Sequence, residues 1–265
     1  MITPTRILRP AARSAGFSLV EMMIALAIAL FLIAGMILIF ENTKSTYVAE
    51  TSLGQLEDNE RLAMTMIADV IQSAGYFPEP QPASNNPQTA LPASPDFPLA
   101  QDSQDNLANV APGTNAQGDT ISVRYAAGPT DAIMNCLGQT NTAGVTPQIS
   151  WDNTLAVDAN GYLTCQVWDS ASNKTSAAEE LVGGFATGAN GPAISLLYGV
   201  NTGTATNGTC VDSYLTATQV TAGGYWGSVC AVKVTLKFNN PLDGTKPPIT
   251  FIRVIALMNQ AGVNT

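Results

Sequence analysis

The chain has 265 residues with 11 basic and 20 acidic side chains, a formal net charge of −9, and no histidine. The acidic balance argues against nucleic acid and anionic membrane surfaces as partners. The lack of histidine excludes His-based catalytic triads, His metal sites and histidine pH switches.

A long apolar run follows a short basic N-terminus. Between residues 17 and 40 the only charged side chain is Glu21. About 20 apolar residues are enough to cross a bilayer as a helix, so residues 17–40 are predicted to be transmembrane. The only charged side chains before the run are three arginines, Arg6, Arg9 and Arg13. By the positive-inside rule they stay cytoplasmic, so everything after residue 40 is predicted to lie on the other side of the membrane.

Glu21 is costly in this position. A carboxylate inside an apolar span costs of order 2.5–3.5 kcal/mol on insertion scales. The nearest candidate partner is an α-amino group on Phe17, which exists only if the chain is cut after Gly16. An ordinary secretory signal peptide has a shorter apolar core and a small-residue cleavage site after it, which this run lacks. A plain single-span anchor gives no reason for Glu21.

These residues carry a family resemblance. Gly16, Phe17 and Glu21, between a basic leader and an apolar helix, resemble the class III signal of type IV prepilins and pseudopilins. The resemblance implies that residues 1–16 are a leader removed after Gly16 by the prepilin peptidase, which also N-methylates Phe17. It further implies that Glu21 pairs with the amino terminus of a neighbouring subunit during fibre assembly.

The apolar run continues into an amphipathic half. No proline lies between Pro10 and Pro78, which predicts one helix over residues 17–75 that ends near Gly75. Apolar residues at spacings of three and four predict a stripe that packs on a globular domain. The stripe comprises Ala49, Leu53, Leu56, Ala63, Ile67, Val70 and Ala74.

The end of this helix resembles the minor pilins of the PilW family at residues 59–64, 67–71 and 74–76. Shorter pieces in the same order extend the resemblance over nearly the whole chain: 118–125, 135–138, 161–165, 180–184, 198–200, 212–214 and Trp226. It implies a type IV pilin-like fold, with a long N-terminal helix packed on a β-sheet domain.

Beyond the helix, residues 76–118 are rich in Pro, Asn, Gln, Ser and Ala, which predicts a connecting loop. From residue 119 the period changes to two, and the C-terminal domain over 119–265 is predicted to be β-rich. The predicted strands are 120–125, 155–157, 162–168, 193–200, 229–238 and 249–258. One helix followed by strands indicates an α+β fold, with an antiparallel sheet that receives the helix stripe.

The four cysteines form no CxxC motif, and their even number on the non-cytoplasmic side favours disulfides: Cys136, Cys165, Cys210 and Cys230. Four cysteines allow three connectivities, and four buried free thiols are the alternative. Pairing neighbours in sequence joins 136 to 165 and 210 to 230, and this is the expected arrangement.

The sequence shows no candidate catalytic, cofactor or metal residues, because no nucleophile has a plausible base and no phosphate-binding loop occurs. We therefore expect a structural role without a cofactor. The resemblance implies a minor pilin that helps to initiate type IV pilus assembly, with a place at the tip as a further expectation. The expected location is the bacterial inner membrane, with the C-terminal domain in the periplasm and the assembled subunit in the pilus. The expected partners are the prepilin peptidase, the other minor pilins, the major pilin, the inner-membrane assembly platform and membrane lipid. The alternatives are a J-type minor pseudopilin of type II secretion and a membrane-anchored periplasmic binding protein or enzyme.

Overall fold

This computed structural model describes residues 16, 18–77, 91–98, 108–129, 131, 133–141, 149–188, 191–203 and 210–257. The chain forms two compact units, residues 1–51 and 52–265. Phe17, nearly all of the predicted leader and much of the predicted 76–118 connector lie outside the described residues.

Helix α1 spans Leu19–Gln72, close to the predicted 17–75. It ends where the sequence predicts, because Gly75 adopts a left-handed conformation with φ 71°. The Gly75 amide then donates to the carbonyl of Arg124 at 2.9 Å, and the Ala126 amide donates to the carbonyl of Tyr76 at 2.9 Å. The end of the helix is therefore tied to a central strand of the second unit.

Within the second unit, the C-terminal half of α1 and the turn after it bury an apolar stripe in the domain core: Leu56, Ala63, Met64, Ile67, Val70, Ile71 and Ala74. Five of these residues belong to the predicted stripe. Met64 and Ile71 extend it, whereas Leu53 is only half-buried. Adjacent residues can both be buried because the packed face of a helix exceeds 100° in width.

The described residues contain ten strands, all in one sheet: β1 (Val110–Asn115), β2 (Gly118–Ala127), β3 (Ile149–Val157), β4 (Tyr162–Asp169), β5 (Lys174–Thr175), β6 (Glu179–Gly183), β7 (Ile194–Val200), β8 (Ser213–Leu215), β9 (Val229–Phe238) and β10 (Ile249–Ala256). The main order is β10-β9-β7-β2-β3-β4-β5; β1 pairs with β2, β6 with β4 and β8 with β7. The α+β, type IV pilin-like layout predicted from the sequence is confirmed.

The sheet is antiparallel, as predicted, except at one place. Strands β2 and β7 pair in parallel, in register at Gly118 and Ile194. After β6 the chain crosses back to the other side of β2, because β5 and β6 already occupy the free edge of β4. A Cβ on Gly118 would stand 2.2 Å from the carbonyl oxygen of Ile194, so this junction needs a glycine.

The prediction of a loop over residues 76–118 is wrong at its C-terminal end. Val110–Asn115 forms β1 and pairs in six consecutive positions with β2. The sequence does not indicate this strand because it contains Pro112 and Gly113, and both residue types are depleted from strand interiors. Pairing with β2 forms the strand despite these two residues, and its first residue, Val110, is buried in the core.

A short helix was also absent from the prediction. Helix α2 (Ala217–Gly223) is followed by a 3₁₀ turn at Tyr225–Ser228, and both precede β9. The side chains of Thr216 and Gln219 form a capping box at the helix start. The Thr-x-x-Gln spacing is the sequence signal that indicates this helix.

Candidate functional site: the N-terminal apolar segment

Gly16 lies before the helix and is exposed to solvent. The first helical hydrogen bond runs from the Met22 amide to the carbonyl of Ser18 at 3.1 Å. A Cβ added to Gly16 would meet no atom within 4 Å. No contact with the described residues therefore requires glycine here, and a requirement for a small residue would come from an outside recognition partner. Phe17, the predicted new N-terminus and methylation site, lies outside the described residues.

Glu21 lies in the first turn of α1 and is exposed. A carboxylate there is stabilised by the partial positive charge of the helix N-terminus, typically by about 0.3–1 kcal/mol. No hydrogen bond or ion pair links its side chain to another described residue. Its own helix thus provides a weak electrostatic stabilisation and no specific partner.

The segment around Glu21 presents apolar side chains in all directions. The large apolar residues from Leu19 to Phe40 are between 52 % and 83 % exposed. The most apolar 18-residue window of α1 has a mean hydropathy of 3.0 and none of it is buried. By length and composition this is the one described helix that can cross a membrane. Exposed apolar surface of this extent requires lipid or other apolar helices around it.

Two glycines within α1 resemble Gly16 in having no close neighbours among the described residues. A Cβ on Gly35 or on Gly54 would meet no atom within 4 Å. Glycine inside a helix costs about 1 kcal/mol relative to alanine, so neither residue is explained by packing within the chain.

The first disulfide joins Cys136, in the loop after β2, to Cys165 on β4, with 6.1 Å between their Cα atoms. Cys165 is buried in the core. The amide of Cys136 also donates to the Oδ1 atom of buried Asn153 at 2.8 Å. The loop is thereby attached to two neighbouring strands, by a covalent bond and by a hydrogen bond.

The second disulfide joins Cys210, before β8, to Cys230 on β9, with 6.0 Å between their Cα atoms. Both bridges connect cysteines that are neighbours in sequence, the arrangement expected from the sequence. With sequence separations of 29 and 20, restriction of the unfolded chain stabilises the domain by roughly 3–4 kcal/mol for each bridge.

The outer face of β2 and β3 is covered by residues 91–98, which we call the strap. Its apolar anchors Leu91 and Phe97 are 0 % and 4 % exposed. The carboxylate of Asp96 accepts hydrogen bonds from Ser122 at 2.6 Å and from Thr154 at 2.8 Å. These contacts attach an irregular segment to the sheet through paired polar groups. The strap was not predicted from the sequence, because a Pro-rich stretch carries no periodic pattern.

Two ionisable groups are buried beneath the strap. The Arg124 guanidinium lies 4.6 Å from the centre of the Phe97 ring, and its Nε donates to Asn109 at 3.4 Å. Burial lowers the pKa of Arg124 to about 10, although the charge of Asp152 opposes this effect. The hydroxyl of Ser94 donates a short hydrogen bond to Asp152.

Burial raises the pKa of Asp152 to about 7. The Ser94 hydrogen bond and the charge of Arg124 lower this pKa, and the charge of Asp96 raises it. A raised pKa can indicate a catalytic acid or base. However, Asp152 and Arg124 are only 3 % and 1 % exposed, so a substrate cannot reach them while the strap is in place. The arrangement fits a structural network better than an active site.

Among the residues that the structure describes, no group of three or more His, Cys, Asp or Glu side chains could hold a metal ion. The absence of catalysis stays a prediction. Gly16 and Glu21 lie in the first unit, and all four cysteines lie in the second.

The comparisons with known proteins agree with the N-terminal geometry. The family described as the prokaryotic N-terminal methylation motif matches residues 11–37. This range contains Gly16, Glu21 and most of the apolar segment. No curated protein and no solved structure matches the chain. The motif supports an assignment of the chain to the prepilin and pilin superfamily. It also supports a pilin or pseudopilin subunit as the kind of protein.

Proposed function

We propose that the chain is a minor pilin of the PilW type that helps to initiate type IV pilus assembly and takes a place at the pilus tip. The observation that carries the proposal is Glu21, the single carboxylate of the exposed apolar segment from Leu19 to Phe40, five residues after Gly16. The proposed role is structural, with no catalytic step.

Before assembly, the segment from Leu19 to Phe40 would hold the subunit in the bacterial inner membrane, with the second unit in the periplasm. After removal of the leader, the same surface would pack against the helices of other subunits. Lipid and a bundle of apolar helices are comparable environments for these side chains, so the transfer costs little hydrophobic free energy. Assembly therefore needs an additional interaction that favours the bundle.

Glu21 supplies this interaction in the proposal. Cleavage after Gly16 creates a positively charged amino terminus on Phe17. Within a helix bundle, the amino terminus of one subunit would neutralise Glu21 of its neighbour. Removing one member of a buried ion pair typically costs 3–5 kcal/mol, because the remaining charge stays buried. The pair would thus select the assembled state and its axial register.

The proposed partners follow from this scheme. They are the prepilin peptidase that cuts and methylates the chain, the other minor pilins, the major pilin and the inner-membrane assembly platform.

The test replaces Glu21 by alanine in a strain whose pili depend on this subunit. We expect normal leader removal and a normally folded domain, but fewer pili and mature protein that accumulates in the membrane. Glu41→Ala is the matched control, because Glu41 is an exposed carboxylate of the same helix at the end of the apolar run. Normal pilus counts for Glu21→Ala, or an equal loss for both variants, would contradict the proposed pairing.

A further inference from the structure

Strand β10 forms one edge of the sheet. It pairs with β9 over eight consecutive positions without a register shift. Among the described residues no strand pairs with its other side. Natural edge strands are usually protected by shortness, proline, a bulge or charged side chains. Ile249–Ala256 is eight residues long, has no proline and no bulge, and carries one charge, Arg253, so it presents a row of backbone donors and acceptors that another strand can use.

The outer face of this edge combines aliphatic and basic side chains. Ile252 and Val254 are 60 % and 51 % exposed. Val254 pairs with Lys233 and Thr250 pairs with Lys237, and paired residues project on the same face of a sheet. The opposite face packs on the core, where Phe251 contacts Phe238 with 5.9 Å between the ring centres. Arg253 pairs with buried Val234 and so projects on that opposite face, where it is exposed. Both lysines lie on the outer face, and this is the face offered to a partner.

The charge of this hairpin is opposite to that of the rest of the chain. Four of the eight basic side chains after residue 16, but only one of the twenty acidic ones, lie between residues 229 and 256. The acidic residue, Asp243, lies in the connecting loop close to Lys246. Within the described ranges, no ion pair neutralises Lys233, Lys237 or Arg253. An acidic chain thus carries one concentrated basic surface at an open sheet edge.

We propose that the basic edge, defined as Lys233, Lys237, Ile252 and Val254, docks an extended acidic segment of another protein. The segment adds to β10 as a further strand. Its carboxylates face the two lysines, and its aliphatic side chains cover Ile252 and Val254. Strand addition supplies affinity through main-chain hydrogen bonds, while alternate side chains supply specificity.

Two other occupants fit less well. A second copy of this chain, paired edge to edge, would bring Arg253 of β10 and the lysines of β9 close to the same residues of its partner, and like charges in close pairs are destabilising. An anionic lipid surface matches the lysines, but it cannot satisfy alternating backbone donors and acceptors along eight residues. The proposal is independent of leader processing, so its failure would leave the proposed function untouched.

The test uses the full-length chain in nanodiscs of neutral lipid. The probe is a fluorescent eight-residue peptide with Glu and Val in turn at every second position and Thr between them, so that both lie on the same face of the added strand. The comparison peptide has Lys in place of Glu. We expect binding of the acidic peptide only, measured by fluorescence anisotropy, and weaker binding at high salt. Methylating alternate backbone nitrogens of the acidic peptide should abolish binding, because strand addition to β10 needs those N–H groups as hydrogen-bond donors.

Charge reversal at Lys233 and Lys237 to glutamate should weaken binding at least tenfold. Lys174→Glu is the matched control, because Lys174 is exposed on β5 at the far end of the sheet order. If the double glutamate variant does not fold, the Lys233→Gln and Lys237→Gln pair gives the same comparison without added charge. Hydrogen exchange should show peptide-induced protection of β10.

Four results would overturn the proposal. The first is equal or absent binding of the two peptides. The second is binding unchanged by the lysine substitutions. The third is protection of β10 caused by anionic nanodiscs alone, which indicates lipid. The fourth is concentration-dependent self-association that protects the same strand, which indicates a second copy.

Discussion

Replacing Asp152 by asparagine should make the domain more stable at neutral pH and change its pH dependence. The side chain is 3 % exposed beneath the strap, and burial raises its pKa from 3.8 to about 7. An acid with a raised pKa binds its proton more tightly in the folded state. Stability is therefore greatest below the unfolded pKa, and it falls as the pH rises from about 4 to about 7.

The expected magnitude follows from these two pKa values. Each pKa unit corresponds to about 1.4 kcal/mol, so ionising Asp152 in the folded domain should cost about 3 kcal/mol between pH 4.5 and pH 8. Asparagine has nearly the same shape and can still accept the hydrogen bond from Ser94, but it carries no charge. The free energy of unfolding of the Asp152→Asn variant should therefore not fall in this way as the pH rises.

The assay is urea unfolding of the full-length protein in neutral detergent, with disulfides intact, at pH 4.5, 6 and 8. The advantage of Asp152→Asn over the wild type should grow by about 3 kcal/mol across this range. Glu180→Gln is the control, because Glu180 is exposed and its substitution should leave the wild-type profile unchanged. Parallel pH profiles for the wild type and Asp152→Asn would refute the reasoning.

Three further predictions concern processing, the disulfides and the core. N-terminal mass analysis of the native protein should show a chain that begins with N-methylated Phe17, and a bulky substitution at Gly16 should leave the precursor uncut; a mature chain that starts at Met1 would contradict both. Peptide mapping without reduction should recover both bridges, and removing either one by serine substitution should lower the urea midpoint, whereas four alkylatable thiols in the native protein would contradict the pairing. Ile67→Ala should cost about 2–5 kcal/mol, because this helix residue is fully buried, while Leu62→Ala, half exposed on the same helix, should change stability little. Equal effects of the two alanine substitutions on urea unfolding would contradict the packing of the helix stripe.

Several features could be read from local sequence. The apolar run and the absence of proline predicted α1 within a few residues at each end, because helix formation depends on contiguous residues and on local stop signals. Alternation predicted β9, since Lys233, Thr235 and Lys237 face outward while the residues between them are buried. Gly16, Phe17 and Glu21 formed a motif whose chemistry is local, and the family comparison supports that motif.

Other features depended on residues that are distant in sequence. The strap covers β2 and β3, so Ser94 contacts Asp152 across 58 positions, and no local pattern predicts this contact. Strand β1 exists because β2 offers it a pairing edge despite Pro112 and Gly113. The parallel pairing of β7 likewise follows from which sheet edges were already occupied.

The same distinction separates the two kinds of candidate site. The N-terminal segment was predicted from sequence because its proposed function depends on side chains that are exposed within the chain. Exposed side chains keep the properties of their own residue types. The raised pKa of Asp152 and the open edge at β10 were decided by the tertiary structure. Burial, neighbouring charges and unpaired backbone groups arise only when separate segments meet, and a sequence lists residues without showing which of them share a surface.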